Sequence, residues 1–185
     1  FVDVCEDTYL IDIEKIKYFI NKKTKAIVPV HLHGNVVDIE KIISLVGKEI
    51  YIIEDASQAH GSSINEVKAG SFGHIGCFSF YPTKNLGAYG DGGAIVTNDA
   101  ELYKKIKLMR MYGMRDKDHT EIHGINSRLD EIQAAILSVK LKYLDKLNAQ
   151  RNVIARKYIE GLNPNFFKHQ KISQKTYSNY HIFQS

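Results

Sequence analysis

Apolar residues at Ile13, Ile16 and Ile20 follow Asp12 at a spacing that places them on one helical face, with Asp12 at the N-cap. Ala26 to Val30 is a short apolar run and predicts a buried strand. The unit then repeats: Asp38 caps a helix marked by Ile39, Ile42, Ile43 and Val46, and Ile50 to Ile53 supplies the next strand. Gly76 to Phe80 and Ala94 to Thr97 are further strands on either side of a glycine-rich loop, and Glu101 to Met111 is a helix ending near Gly113. Ser127 is expected to cap a long helix with apolar positions at Leu129, Ile132, Ile136, Val139, Tyr143 and Leu147. If it continued to Leu162 it would be roughly 50 Å long, so it should bend or break somewhere. Pro164 disfavours helix at Asn163 and marks a boundary. Helices alternating with short apolar strands predict an α/β fold, a mostly parallel sheet flanked by helices.

Composition narrows the class. With 185 residues and 44% hydrophobic content the chain can build one sizeable core, and no apolar run reaches the length of a membrane span. The net charge of +4 is spread along helices. It reads as a solvated surface, without the basic stripe and interleaved aromatics that would predict nucleic-acid binding. Cys5 and Cys77 lie far apart without a CxxC spacing, which fits free thiols in a reducing, cytoplasmic setting.

The candidate chemistry centres on Lys84, in the run Ser79-Phe80-Tyr81-Pro82-Thr83-Lys84-Asn85-Leu86-Gly87-Ala88-Tyr89-Gly90-Asp91-Gly92-Gly93-Ala94. Upstream, Tyr51 to Asp55 is a strand ending in acids and leading into Ala56-Ser57-Gln58-Ala59-His60-Gly61. Ligands of open parallel sheets bind beyond the carboxyl ends of strands, so Asp55 is well placed for one. Alone it would read as a helix-capping acid. A lysine in an aromatic, glycine-rich loop after an acid-terminated strand is the arrangement that carries pyridoxal 5′-phosphate (PLP) as a Schiff base. Glu54 and His60 read as structural, and Asp91 as a turn residue between glycines.

These two motifs, with Gly124-Ile125-Asn126-Ser127-Arg128-Leu129-Asp130-Glu131-Ile132-Gln133-Ala134-Ala135 as a third, resemble the DegT-type sugar-nucleotide aminotransferases. That resemblance implies the PLP-dependent transferase fold of the aspartate aminotransferase type, and transfer of an amino group from glutamate to a nucleotide-linked keto sugar. It implies that Lys84 anchors the cofactor and moves protons, and that Asp55 pairs with the pyridine nitrogen. Gln58 would meet the phenolic oxygen and Ser79 the phosphate. Asn126 would reach the phosphate bound by the other subunit of a homodimer. Tyr81, Tyr89, His123 and Arg128 are candidates for the sugar or nucleotide pocket. The wording of the Lys84 loop, with Asp91 after Gly90, is closer to the branch acting on 3-keto-6-deoxyhexoses than to the 4-keto branch. Members of the family are longer, so the chain reads as a central fragment: residues 1–126 of the large PLP-binding domain, a connector helix over 127–162, and the start of a small domain over 163–185. The remaining phosphate donors and the stacking aromatic would lie before Phe1.

Two other readings stand beside this one. His31-Leu32-His33, with Asp55 and His60, contains the ligands of a metal-dependent hydrolase, but leaves Lys84, Gln58 and the glycine-rich loop unused. A non-catalytic or truncated homologue would keep the fold, yet sugar dehydratases related to the family carry histidine in place of the lysine, and Lys84 favours transamination.

Overall fold

The computed structural model describes all 185 residues. In chain order its elements are α1 (Ile13–Ile16), β1 (Ala26–Ile27), α2 (Ile39–Val46), β2 (Tyr51–Asp55), β3 (Ser63–Ile64), β4 (Val67–Lys68), β5 (Ile75–Ser79), β6 (Gly93–Val96), α3 (Ala100–Met109), α4 (Glu131–Leu141), α5 (Leu144–Gly161) and β7 (Thr176–Tyr177). The main sheet has the order β1-β2-β5-β6, parallel from β1 through β5, with β6 antiparallel at the edge. Helices supply the crossover from β1 to β2, as parallel pairing requires.

Local chemistry explains most element boundaries. Asp38 caps α2 by accepting from Lys41 N, and Asp99 caps α3 by accepting from Glu101 N and Leu102 N. The expected Ala26–Val30 strand stops after Ile27 because Pro29 has no N–H to give the ladder. The Pro29 carbonyl still accepts from Asp55 N, and pairing resumes at Val30 opposite Asp55. Helix α1 is a single turn rather than the longer element that Ile20 suggested. A helix that short has too few internal bonds to persist without packing.

The long helix differs from expectation in two ways. Ser127 is not its cap: Ser127 N donates to Arg110 O beside the Met111–Asn126 bridge, and the helix begins only after Asp130. The helix is also broken, because α4 ends at Leu141, Tyr143 turns to φ −107°, and Tyr143 N bonds Lys140 O before α5 begins.

A second, three-stranded sheet of order β4-β3-β7 was not visible in the hydrophobic pattern. Its β3–β4 turn is made by Asn65 and Glu66, both at positive φ (47° and 69°), the conformation a two-residue hairpin needs. No glycine marks the turn, which is why it escapes a sequence reading. Strand β7 brings residues 176–177 back onto β3, at the edge of this second sheet.

Three apolar clusters hold this frame. Leu10, Ile16, Val37, Ile39, Ile42 and Ile52 pack α1 and α2 against the first face of the sheet. Val36, Ala56, Ala59 and Ala69 lie under the loop after β2. Leu86, Ala88, Leu137 and Leu144 fasten the Lys84 loop to α4 and α5. The third cluster matters most for function, since it fixes the loop that carries the lysine.

Candidate active site

Strands β2 and β5 run parallel with Asp55 opposite Cys77, so their carboxyl ends bring Asp55 and Ser79 to the same edge of the sheet. The Lys84 loop leaves from the end of β5 and returns through β6. Each of four sequence-predicted residues here has one polar group committed to the fold and another left open. Asp55 Oδ1 accepts from Ser57 N at 3.0 Å, while Oδ2 has no partner. Gln58 Oε1 accepts from His33 N at 2.7 Å, leaving its amide N–H groups to donate. Ser79 Oγ accepts from Tyr81 N at 3.3 Å, leaving its hydroxyl hydrogen unused. Lys84 forms a turn through its own N–H to Tyr81 O, and its ammonium group is in no ion pair.

These open groups match what PLP requires: an acceptor for a ring N–H, a donor for a phenolate oxygen, a hydroxyl for phosphate, and an amine. The fit is therefore good on the ring and lysine side. On the phosphate side only Ser79 is present, and one hydroxyl satisfies only part of a phosphate's need for donors.

Beside Lys84 are two imidazoles that sequence reasoning had set aside or missed. His60 is buried at 2% exposure, and neither ring nitrogen has a hydrogen-bond partner. Its ring lies 5.4 Å from that of Phe78 and 6.1 Å from that of Phe80. Burial lowers its pKa to about 4; the Ser79 main chain, close by but outside hydrogen-bonding geometry, opposes this, and His181 and Lys84 add to the lowering. His181 is likewise lowered to about 4 by burial, then by Lys84, Arg151 and His33. Both rings are neutral at pH 7. In the unfolded chain they titrate near the ordinary value of 6.5, so the unfolded state binds more protons as pH falls from 6.5 toward 4. Stability is lost across that window. Replacing His60 with phenylalanine, which suits the Phe78 and Phe80 surroundings, should recover on the order of 2 kcal/mol of the stability lost between pH 7 and 5. Urea unfolding at the two pH values measures it, and an undiminished loss would contradict the assignment.

Glu54, adjacent to Asp55, is fully buried and saturated. Its carboxylate accepts from Gly70 N, Phe72 N and Gly73 N and meets His31 Nε2 at 2.8 Å. Burial alone would raise its pKa, but the bonds from His31, Gly73 and Gly70 prevail and hold it below the usual glutamate value. His31 Nδ1 accepts from Val37 N at 3.0 Å, so Nε2 carries the hydrogen given to Glu54. With both nitrogens engaged, His31 is not available to a metal. That removes the His31/His33 hydrolase arrangement, and His33 has turned its main chain toward Gln58.

Of the other candidates, Tyr81 joins this cluster only through its main chain, between Ser79 and Lys84. Tyr81 and Tyr89 are exposed on the lysine loop, with Lys140 Nζ 5.8 Å from the centre of the Tyr89 ring. His123, Asn126 and Arg128 are exposed in the segment before α4, and the Asn126 side chain makes no hydrogen bond within the chain.

Over residues 1–184 the sequence matches the DegT/DnrJ/EryC1/StrS aminotransferase family. The chain belongs to that family. Aminotransferases of this family depend on PLP. A pleiotropic regulatory protein of Geobacillus stearothermophilus is 42% identical over 184 residues, covering 99% of this chain and 50% of the relative. The dTDP-3-amino-3,4,6-trideoxy-alpha-D-glucose transaminase of Micromonospora megalomicea subsp. nigra is 46% identical, covering 88% of this chain and 44% of the relative. Among solved structures, S. venezuelae DesV in complex with a ketimine intermediate superposes with a TM-score of 0.90 at 38% identity, over 98% of this chain and 50% of that one. The chain thus spans about half the length of the curated relatives it matches.

Proposed function

We propose that this chain carries the cofactor site of a PLP-dependent sugar-nucleotide aminotransferase that converts a nucleotide-linked 3-keto-6-deoxyhexose to the 3-amino sugar, with glutamate as amino donor. The observation that carries the reading is the set of open groups at the carboxyl edge of the sheet: Asp55 Oδ2, the Gln58 amide, the Ser79 hydroxyl and the Lys84 amine. The 3-keto preference is supported by the Gly90-Asp91-Gly92-Gly93 wording and by the 3-amino sugar named for the M. megalomicea relative.

Bound at this edge, PLP supplies an aldehyde carbon for amine exchange and a ring that takes up electron density as a proton leaves the amino-bearing carbon. Lys84 is the residue that would hold the aldehyde carbon, and when its amine is free its nitrogen would accept the proton from the amino-bearing carbon and return it. Asp55, through its unpartnered Oδ2, would hold the hydrogen of the ring nitrogen, the Gln58 amide would donate to the phenolic oxygen, and the Ser79 hydroxyl would donate to the phosphate. The neutral rings of His60 and His181 add no positive charge beside Lys84. Asn126, exposed and without a partner in its own chain, is suited to reach the phosphate of a neighbouring subunit in a homodimer. Tyr81, Tyr89, His123 and Arg128 remain proposed contacts for the sugar nucleotide. The domain division at 126 and 162 and a cytoplasmic location belong to the same proposal; no helix is long and apolar enough to cross a membrane.

The test is an assay of the whole protein with PLP, glutamate and dTDP- or UDP-linked keto sugars, analysed by mass spectrometry. Amination of the 3-keto substrate is expected. Amination of the 4-keto sugar alone would move the protein to that branch, and no amination of either would contradict the proposal.

A further inference from the structure

The residue next to Lys84 is the centre of a buried amide network. Asn85 Nδ2 donates to Asn148 Oδ1 at 2.9 Å and to Asn179 O at 3.1 Å. Both hydrogens of that amide therefore face oxygens, so Asn85 Oδ1 can only accept, and it lies 3.0 Å from His181 Nδ1. This assigns the imidazole hydrogen to Nδ1. Asn148 Nδ2 in turn donates to His60 O at 2.9 Å. Asn179 Nδ2 donates to Gln58 O and His60 O, both at 3.0 Å, its Oδ1 accepts from His181 N, and its N–H goes to Ser62 Oγ. Asn148 and Asn179 are both at 0% exposure.

Three stretches far apart in the chain are thus joined to Asn85: α5 and residues 178–181 directly, and residues 58–62 through the amides of Asn148 and Asn179. The approach is as close as glycine permits. Gly34 is at φ +92°, and a methyl group there would collide with the Asn179 side chain; one at Gly61 would meet Asn148 Nδ2 at 2.8 Å. Aliphatic side chains could fill these positions in α5 and after β7 without any need for partners. Amides add direction: each bond fixes an orientation, and breaking one leaves a buried polar group unpaired.

We propose that Asn85 is a positioning residue for Lys84, and that residues 178–181, acting through Asn179 and His181, hold the lysine loop in its working conformation. The proposal rests on the reading of Lys84 as the cofactor lysine. It makes the docking of the segment after β7 a condition for the lysine to be in place, although that segment is distant in sequence and contributes no group to the ring.

Two readouts on the whole protein separate positioning from general stability. In the first, the apo protein is labelled briefly with acetic anhydride, and peptide mass spectrometry compares Lys84 with Lys105, an exposed lysine on α3. Asn85→Ala should free the loop and raise relative labelling of Lys84 by about threefold or more. In the second, PLP with cyanoborohydride is used to trap Lys84, and the same variant should slow trapping about tenfold, because an amine that is more accessible is also less well oriented. Thr97→Ala is the control. It removes the bonds from Thr97 Oγ1 to His74 O and from Asp99 N to Thr97 Oγ1, which involve neither Asn85 nor residues 178–181, and should leave both readouts at wild-type values. Unchanged labelling of Lys84 in Asn85→Ala, or equal changes in the two variants, would overturn the proposal. If wild-type Lys84 does not trap PLP at all, the functional reading fails, and the acetic anhydride arm alone decides whether Asn85 positions the lysine.

Discussion

Replacing Lys84 with alanine in the whole protein should lower transamination by about 10³-fold or more while leaving the thermal unfolding midpoint within a few degrees of wild type. The side chain is half-buried and makes no ion pair or hydrogen bond through its amine, so its removal breaks no contact on which the fold depends. On the proposed assignment its loss removes both the covalent anchor and the group that moves the proton. The loop itself stays fixed by Leu86 and Ala88 against Leu137 and Leu144. Single-turnover kinetics with glutamate distinguish this from a binding defect. A variant that kept wild-type rates would show that another amine does the chemistry.

The largest stability effect is expected at Glu54. Glu54→Ala would leave the N–H groups of Gly70, Phe72 and Gly73 and the Nε2–H of His31 without their acceptor in a closed interior. Each buried donor stranded in this way costs about 1–3 kcal/mol. Together they reach a sum on the order of 5 kcal/mol, comparable with the whole stability of an ordinary domain. The variant should fail to accumulate as folded protein. Glu54→Gln keeps one acceptor oxygen but sets an amide donor against main-chain donors, and should fold with a clearly lowered unfolding midpoint. Because the folded carboxyl is held below its usual pKa, this contribution is present above about pH 4.5 and fades below it. Thermal unfolding at pH 7 checks the comparison; a wild-type midpoint for Glu54→Ala would contradict it.

What could be read from the sequence follows from how local the responsible signal is. Asp38 and the apolar positions of α2 lie within one short segment, and both the helix and its cap are as expected. The βα alternation gave the mostly parallel sheet, because parallel strands buried on both faces read as continuous apolar runs. Asp55, Gln58, Ser79 and Lys84 were visible as motifs, and strand pairing brings Asp55 and Ser79 to one sheet edge. Ser127 was a plausible cap, but its main chain is taken by Arg110, a partner that spacing does not show.

The least legible part is the polar interior. Glu54 read as structural and is so, but its partners, in a turn 16 to 19 residues away, could not be named from the sequence. Asn148 is 63 residues from Asn85, and Asn179 is 94. The one available signal was asparagine on the face of α5 that also buries Leu144 and Ala155, where an aliphatic residue would be expected. His60 carried no signal either, since a histidine after a strand is most often hydrogen-bonded and this one is not.

The most direct test is to load the whole protein with PLP, reduce it with borohydride, and map the modified peptide by mass spectrometry. The phosphopyridoxyl group should be found on Lys84 and be absent from Lys84→Ala. Its presence on a different lysine, or its absence from PLP-supplied wild-type protein, would contradict the assignment of Lys84 as the cofactor lysine.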